Sequence, residues 1–220
     1  MSIIQAREIT RSFEGMEVLS GLDITVFKGE FLAIVGRSGV GKSTLLSILG
    51  THDRGFGGNL LVAGHDTCEM KSSELAALRR EHLGFVFQDF HLLPSLSAME
   101  NVILPVVFSG GNLELARSQA EDVLKMLSVR TDQTKTSLLS RGERQRVAVA
   151  RGLVNRPSIL LADEPSASLD EESENILFNL LDRSRREQEF AVVAVVHSKS
   201  VLERADRILE LKDGVLHETG

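Results

Sequence analysis

Nine consecutive residues, Gly36-Arg37-Ser38-Gly39-Val40-Gly41-Lys42-Ser43-Thr44, combine glycines, a lysine and a hydroxyl at the spacing G-x-x-x-x-G-K-[ST]. Glycines let a backbone wrap closely around a phosphate and turn its N–H groups inward. Lys42 adds a full positive charge, and a helix starting here adds the positive end of its dipole. Ser43 offers a hydroxyl to Mg²⁺. Each charge-assisted hydrogen bond of this kind is worth roughly 1.5–3 kcal/mol. The competing structural reading is a glycine-rich turn that caps a helix. The apolar runs Phe31–Val35 before the loop and Leu45–Leu49 after it give strand, loop and helix in the order that phosphate binding needs, which favours the chemical reading.

A second set of polar residues closes other apolar runs. Asp163-Glu164 follows Ile159–Ala162. An acid at the C-terminal edge of a parallel sheet stands where such folds bind ligands. Asp163 is then a ligand of Mg²⁺, through water, opposite Ser43. Glu164 is placed to polarise a water attacking a γ-phosphate. The alternative, helix-capping or solvated acids, loses weight beside the phosphate loop. Gln88, after Phe85–Phe87, can reach the Mg²⁺ and the attacking water, and His197, after Ala191–Val196, can contact the γ-phosphate. Taken singly, each is more simply a polar residue at a strand end. Leu139 to Arg146 opens a helix in which Ser140 and Glu143 form a capping box, a complete structural account in itself. A capped helix start containing Gly142 is also an anion site. Ser168 and Glu171, within Ser166-Ala167-Ser168-Leu169-Asp170, form a second such box with the same ambiguity.

These groups need a sheet to hold them. Residues Ile3 to Phe27 read as short antiparallel strands with a turn at Glu14-Gly15. Lys28-Gly29-Glu30 turns into the strand Phe31–Val35. Further strands are expected at Asn59–Ala63, at Gly84–Phe87 as a buried run, at Ser158–Asp163 and at Ala191–Val196, the last continuous enough for a central parallel strand covered on both faces. Asp206 to His217 reads as a hairpin around Lys212-Asp213-Gly214. Helices are expected at Glu74–Arg80, at Ala98–Val107 up to a break near Pro105, and at Leu113–Leu127, where Leu115, Ala116, Ala120, Val123, Leu124 and Leu127 recur at helical spacing. Another follows Asp163, with Ile176, Leu177, Leu180 and Leu181 on one face. Alternating strands and helices imply a parallel α/β sheet.

The chain has 220 residues, enough for one large domain or two small ones. A net charge of −6 gives no electrostatic pull toward nucleic acid or anionic lipid, so neither is a favoured direct ligand. Cys68 is the only cysteine, which excludes an intrachain disulfide and a thiolate zinc cluster and fits a reducing compartment. The first eight residues lack the layout of a signal peptide. The apolar runs fall short of the ~20 residues that span a bilayer, so the chain is not expected to cross a membrane by itself.

The phosphate loop, Gln88, the Leu139–Arg146 helix start, Asp163-Glu164, Ser168-Leu169-Asp170 and His197 occur in the order found in ABC transporter ATPases, and the resemblance covers essentially the whole chain. In detail it resembles the group that contains the lipoprotein-releasing LolD, the macrolide exporter MacB and the division protein FtsE. That finer likeness rests on Leu78-Arg79-Arg80, Gly84–Gln88, Leu92–Val102 and Gly142–Ala148. The resemblance implies a P-loop NTPase α/β fold with a parallel core sheet, an N-terminal antiparallel β layer and an inserted helical subdomain. One ABC ATPase domain would fill 1–220, with 1–88 and 155–220 as nucleotide-binding core and 89–154 as helical subdomain. It implies ATP and Mg²⁺ as cofactors, with Phe13 stacking on adenine where relatives often have Tyr; a core aromatic is the equal alternative for that residue. Ser140 and Gly142 would close over the γ-phosphate bound to a second copy, so that two nucleotides are sandwiched in a homodimer, with Asp170 helping to link the sites. Asp89–Val102 would form part of the surface that grips a membrane permease subunit, placing the chain peripherally on the cytoplasmic face of the inner membrane. The implied activity is ATP hydrolysis powering export or lipoprotein release. Two rivals are an ABC ATPase of translation or DNA repair, for which tandem cassettes, a long coiled coil or basic arms are missing, and a regulatory, FtsE-like ATPase without transport. Three departures stand out: Arg141 replaces the first glycine of Leu-Ser-Gly-Gly, Ser166-Ala167-Ser168 replaces Thr-Gly-Asn, and Ser198-Lys199 follows His197.

Overall fold

The computed structural model describes residues 1–167 and 169–219. It opens with β1 (Ser2–Phe13) and β2 (Met16–Phe27), which are twelve residues each and not the short strands expected. Bulges keep so long a ribbon amphipathic. Ala6 pairs with Ile24 and Ile9 with Leu22, so Arg7 and Glu8 face the single residue Asp23. That one-residue slip returns Ile9 to the buried face shared by Ile4 and Ala6. Glu8 takes φ 51° there, and its N–H donates to Asp23 Oδ1 at 2.8 Å. Gly21, at φ +70°, is the matching extra residue of β2.

β3 (Phe31–Val35) then feeds α1 (Lys42–Leu49). β4 (Gly57–Val62) and β5 (His65–Asp66) complete a four-stranded antiparallel sheet in the order β2-β1-β4-β5. α2 (Ser72–His82) leads into β6 (Leu83–Val86). Three helices follow, α3 (Ala98–Phe108), α4 (Leu113–Met126) and α5 (Arg141–Leu153). The chain returns through β7 (Ile159–Asp163), α6 (Glu171–Gln188), β8 (Ala191–Val195), the short α7 (Lys199–Leu202), β9 (Arg207–Lys212) and β10 (Val215–Thr219). The second sheet runs β10-β9-β3-β8-β7-β6. β9, β3, β8, β7 and β6 are parallel, and β10 closes the edge as an antiparallel hairpin.

That parallel sheet is buried on both faces, and the period of two decides which face each residue serves. Val192 and Ala194 of β8 join the core that holds α3, α4, α5 and α6, together with Phe31, Ala33, Leu160 and Ala162. Ala191, Val193 and Val195 join the other core, with Leu32, Ile34, Ile159, Leu161, α1, α2 and the antiparallel sheet. Each fully buried Val, Ile or Leu contributes roughly 1.5–3 kcal/mol.

The structure corrects several local expectations. α3 does not break at Pro105 but runs on to Phe108. The ring removes one helical bond, while burial of Val102, Ile103 and Val106 along the same face holds the helix through the gap. Leu115 of α4 and Ile176 of α6 lie on exposed sides at 58% and 41% exposure, whereas Phe178 is buried in place of Ile176. Phe87 falls outside β6 and is exposed. The N-cap of α6 is Asp170, whose side chain accepts from the Ser173 N–H at 2.7 Å. The expected Ser168–Glu171 box is thus displaced by two residues, and Ser168 itself lies outside the described residues.

α5 sits against β6 at a place where both backbones need glycine. A Cβ on Gly84 would stand 2.2 Å from the Gly152 carbonyl oxygen. Gly84→Ala is therefore expected to destabilise the chain by about 1–3 kcal/mol through forced separation of helix and strand, read as a lower urea midpoint; an unchanged midpoint would contradict this close approach.

Candidate active site

Parallel pairing brings the expected site residues to one edge of the sheet. Asp163 of β7 lies opposite Val195 of β8, and Val195 opposite Ile34 of β3. Val86 of β6 lies opposite Ala162. All four strands point the same way, so Gly36, Gln88, Asp163-Glu164 and His197 all leave from their C-terminal ends, the edge at which open α/β sheets bind ligands.

The loop Gly36–Gly41 is shaped by positive φ angles that only glycine adopts freely: +147° at Gly36, +78° at Gly39 and +110° at Gly41. Space forbids side chains at its ends as well. A Cβ on Gly36 would meet the Leu211 carbonyl oxygen at 2.5 Å, and one on Gly41 would meet Val18 Cγ1 at 2.7 Å. Arg37, Ser38 and Gly39 form the exposed rim, and Val40 N–H donates to the Arg37 carbonyl at 3.4 Å. Gly41 is the N-cap of α1 and brings no capping side chain, so the first amide groups of Lys42, Ser43 and Thr44 have no side-chain acceptor at the cap. Lys42 is buried, and its ammonium donates to the carbonyls of Gly36 and Arg37, both at 2.9 Å. Its charge is spent on the concave side of the loop that it would share with a phosphate.

Ser43, the next residue of α1, lies near Asp163 at the end of β7, because α1 crosses onto that strand. Burial pushes the Asp163 carboxyl up from its ordinary value, and the neighbouring Glu164 charge adds to the rise; the nearby Ser43 hydroxyl and Lys42 oppose it. A hydroxyl and a half-buried carboxylate facing a phosphate loop match the way Mg²⁺ is held, by one or two carboxylates with substrate phosphates and water filling its octahedron. The residues present fit that ion. Glu164 follows in the left-handed region at φ 46°, a strained setting for a non-glycine residue. There its Oε1 accepts a 3.0 Å hydrogen bond from His197 Nε2. The two residues share the wall of a cavity of about 310 Å³ with Ser166, Ala167, Glu174 and Ser198.

Gln88 is exposed just beyond β6, and the described hydrogen bonds do not join it to Ser43 or Asp163. Ser140 caps α5 as expected: its hydroxyl accepts from Glu143 N–H at 3.2 Å, and the Glu143 carboxylate accepts from Ser140 N–H at 2.9 Å. Gly142 stands beside Ser173, at the start of α6, where a Cβ would lie 3.2 Å from the Ser173 hydroxyl. The Arg141 guanidinium turns toward Phe90, 5.9 Å from its ring centroid, with Arg144 at 5.5 Å on the same ring. Phe13 is 44% exposed at the hairpin end, which removes the core-aromatic alternative. It pairs with Met16, and two residues further on Val18 lies against Gly41, so the hairpin runs across the phosphate loop.

Three positioning contacts escaped the sequence reading. Glu174 is buried in α6 and accepts from Ser166 Oγ at 2.5 Å and Ser200 Oγ at 3.3 Å, tying together the segments after Glu164 and after His197. Arg151 of α5 donates to the carbonyls of Phe90 at 2.7 Å and His91 at 2.6 Å, holding the segment beyond Gln88. Arg11 underlies Phe13. Only Arg151 carries a sequence signal, a charge set among the apolar residues Val147, Ala150 and Val154.

Comparison with known proteins decides the assignment. Residues 19–167 match the ABC transporter family. The chain belongs to that family. As an ABC ATPase cassette it is 45% identical over 97% of its length to the lipoprotein-releasing system ATP-binding protein LolD of Porphyromonas gingivalis, covering 98% of that protein. It is 42% identical to the macrolide export ATP-binding/permease protein MacB of Rhodopseudomonas palustris, spanning 98% of this chain but 34% of that one. The dimeric structure of MJ0796, a bacterial ABC transporter cassette, superposes with a TM-score of 0.88 at 36% identity, covering 98% of this chain and 97% of that one. The parallel sheet with an antiparallel β layer is the expected ABC ATPase fold.

The raised Asp163 carboxyl carries a stability consequence. An acid whose folded pKa lies above its unfolded value penalises the folded state once ionised, and the penalty disappears as pH falls through the folded pKa. Asp163→Asn is therefore expected to melt above the parent at pH 8, with the gap closing as pH falls, while losing turnover. Calorimetric scans across pH check this, and a variant that melts lower at pH 8 would refute the burial account.

Proposed function

We propose that this chain binds and hydrolyses MgATP as a homodimer and drives conformational change in membrane permease subunits, in export or lipoprotein release. The observation that carries the reading is the convergence on one sheet edge of the Lys42 cradle, the Ser43–Asp163 pair and the Glu164–His197 hydrogen bond. Gly36 to Thr44 wrap the phosphates, with Lys42 exchanging its loop carbonyls for phosphate oxygens. Ser43, Asp163 and Gln88 would hold Mg²⁺, which would supply positive charge beside the phosphates. Glu164 accepts the proton of the attacking water. His197 holds the Glu164 carboxylate in place and reaches the γ-phosphate. Phe13 stacks on the adenine.

Ser140 and Gly142 meet the γ-phosphate held by the second copy, and Asp170 lies between the two sites. Arg141 leaves that approach open, since its guanidinium lies over Phe90. This orientation supports turnover over the regulatory, non-transporting reading, whose best support in the sequence is Arg141 itself. In the division of labour proposed here, 1–88 and 155–220 form the nucleotide-binding core and 89–154 the helical subdomain. Between them lies a cavity of about 610 Å³, lined by Phe85, Phe87, His91, Pro105, Phe108 and Arg151. Together with the Asp89–Val102 surface it is the proposed seat of the membrane subunit. Among the described residues no helix is long and apolar enough to cross a membrane. The proposed location is peripheral, at the cytoplasmic face of the inner membrane, with membrane contact through the partner alone and no role for nucleic acid. The relatives act on lipoproteins and macrolides by name, and cargo of that outward-moving kind is the proposed class here.

Glu164→Gln is the direct test. It is expected to bind ATP, accumulate as an ATP-bound dimer in size-exclusion chromatography, and lose turnover by about 10²-fold or more, as removal of a general base requires. Parent-level phosphate release from this variant would remove Glu164 from that role. Phosphate release by the parent chain, with and without a co-purified permease, separates pump from regulator.

A further inference from the structure

Arg11 is held more tightly than an exposed hairpin requires. Its Nε donates to Asp53 Oδ2 at 2.8 Å, and its Nη1 donates to the carbonyls of Gly55 at 2.9 Å and Ser12 at 3.1 Å. Gly55 approaches the guanidinium so closely that a Cβ there would stand 2.8 to 3.0 Å from Nη1, Cζ and Nη2. The group fixed in this way lies under Phe13, its central carbon 4.0 Å from the ring centroid. Phe13 keeps 44% of its surface exposed, and its hairpin crosses the phosphate loop at Gly41.

We infer that Arg11 is a positioning residue for the nucleotide base: it backs the Phe13 ring and holds it as a preformed platform. The inference rests on the reading of Phe13 as the surface on which the base stacks. Two physical effects follow from the stack. An aromatic at a hairpin end would otherwise sample several rotamers and lose that freedom on binding; a fixed cation beneath the ring removes the loss in advance. The cation also draws on the negative face of the ring, leaving the outer face better matched to an electron-rich purine. A third consequence is mechanical. Asp53 and Gly55 come just after α1, whose first residue is Lys42. The base platform is therefore tied to the segment that follows the helix whose start forms the phosphate cradle.

The test is a double-mutant cycle on the full chain with MgATP and inorganic tripolyphosphate, a competitor that has no base. Arg11→Ala is expected to weaken MgATP binding about threefold to tenfold, with kcat at saturating ATP within about twofold of the parent. The inhibition constant of tripolyphosphate is expected to stay at the parent value. Phe13→Ala is expected to weaken MgATP at least about fivefold, and adding Arg11→Ala to it should change nothing further. If Arg11→Ala weakens MgATP by the same factor with or without Phe13, or weakens tripolyphosphate equally, Arg11 does not act through the platform and the inference fails. If Phe13→Ala alone leaves MgATP affinity unchanged, the reading of Phe13 fails and takes this inference with it.

Discussion

Asp163 is level with Val195, and Val195 with Ile34, because β7, β8 and β3 share one parallel register. That register is what the rest of the chemistry stands on. Adjacent strands lie about 4.8 Å apart, so the loop leaving β3 and the acid ending β7 are separated by roughly two such steps. No side chain of Asp163's length bridges that gap from the sheet itself. α1 narrows it instead: it leaves β3 through the glycine loop, crosses onto β7, and brings Ser43 near Asp163. The same crossing turns the start of the helix toward the open edge. A slip of one residue between β7 and β8 would reverse the faces of Ile159 to Asp163 and disassemble both cores together with the site.

The groups gathered at this edge are costly to keep there. Lys42 is buried and satisfied by two loop carbonyls, Asp163 is driven toward protonation by burial, and Glu164 sits at a positive φ. None of these settings favours folding. They are offset by strands such as β8, every residue of which is buried, and by apolar cores on both faces of the sheet. In the proposed function these settings leave Lys42 and Asp163 poised to exchange their present neighbours for a phosphate and its metal.

How much of this was legible in the sequence depended on the range of each interaction. The phosphate loop is a local object. Its glycines answer to φ angles and close approaches within a few residues, so their spacing announces them. Buried parallel strands announce themselves as apolar runs, which places Asp163, Glu164, Gln88 and His197 at strand ends from the sequence alone. The capping box of Ser140 and Glu143 is likewise local and is present as read. The failures share a different cause. Arg11 meets Gly55 and Asp53 across more than forty positions, and Glu174 gains its role from Ser166 and Ser200 through tertiary folding. The continuation of α3 through Pro105, the bulges of the β1–β2 ribbon and the exposure of Leu115 and Ile176 were likewise set by what packs against each element. Local propensity alone does not contain that information.

The capping of α5 bears on the proposal that one copy of this cassette supplies half of each site. In a helix start of this kind the box satisfies the amides of the N-cap and of the third helical residue, here Ser140 and Glu143. The amides between them, those of Arg141 and Gly142, belong to the helix start and have no intrahelical acceptor. Two adjacent N–H groups at the positive end of a thirteen-residue helix form a strong anion site. Gly142 is buried beside Ser173, while the Arg141 guanidinium lies toward Phe90. Yet α5 packs against β6, the edge strand three places from β3, and its start faces Ser173 of α6. A phosphate wrapped by Lys42 thus lies beyond reach of the same chain's Gly142. In a single copy water can satisfy such amides; in the function proposed above, a second copy carrying a triphosphate replaces that water with an acceptor of the required charge.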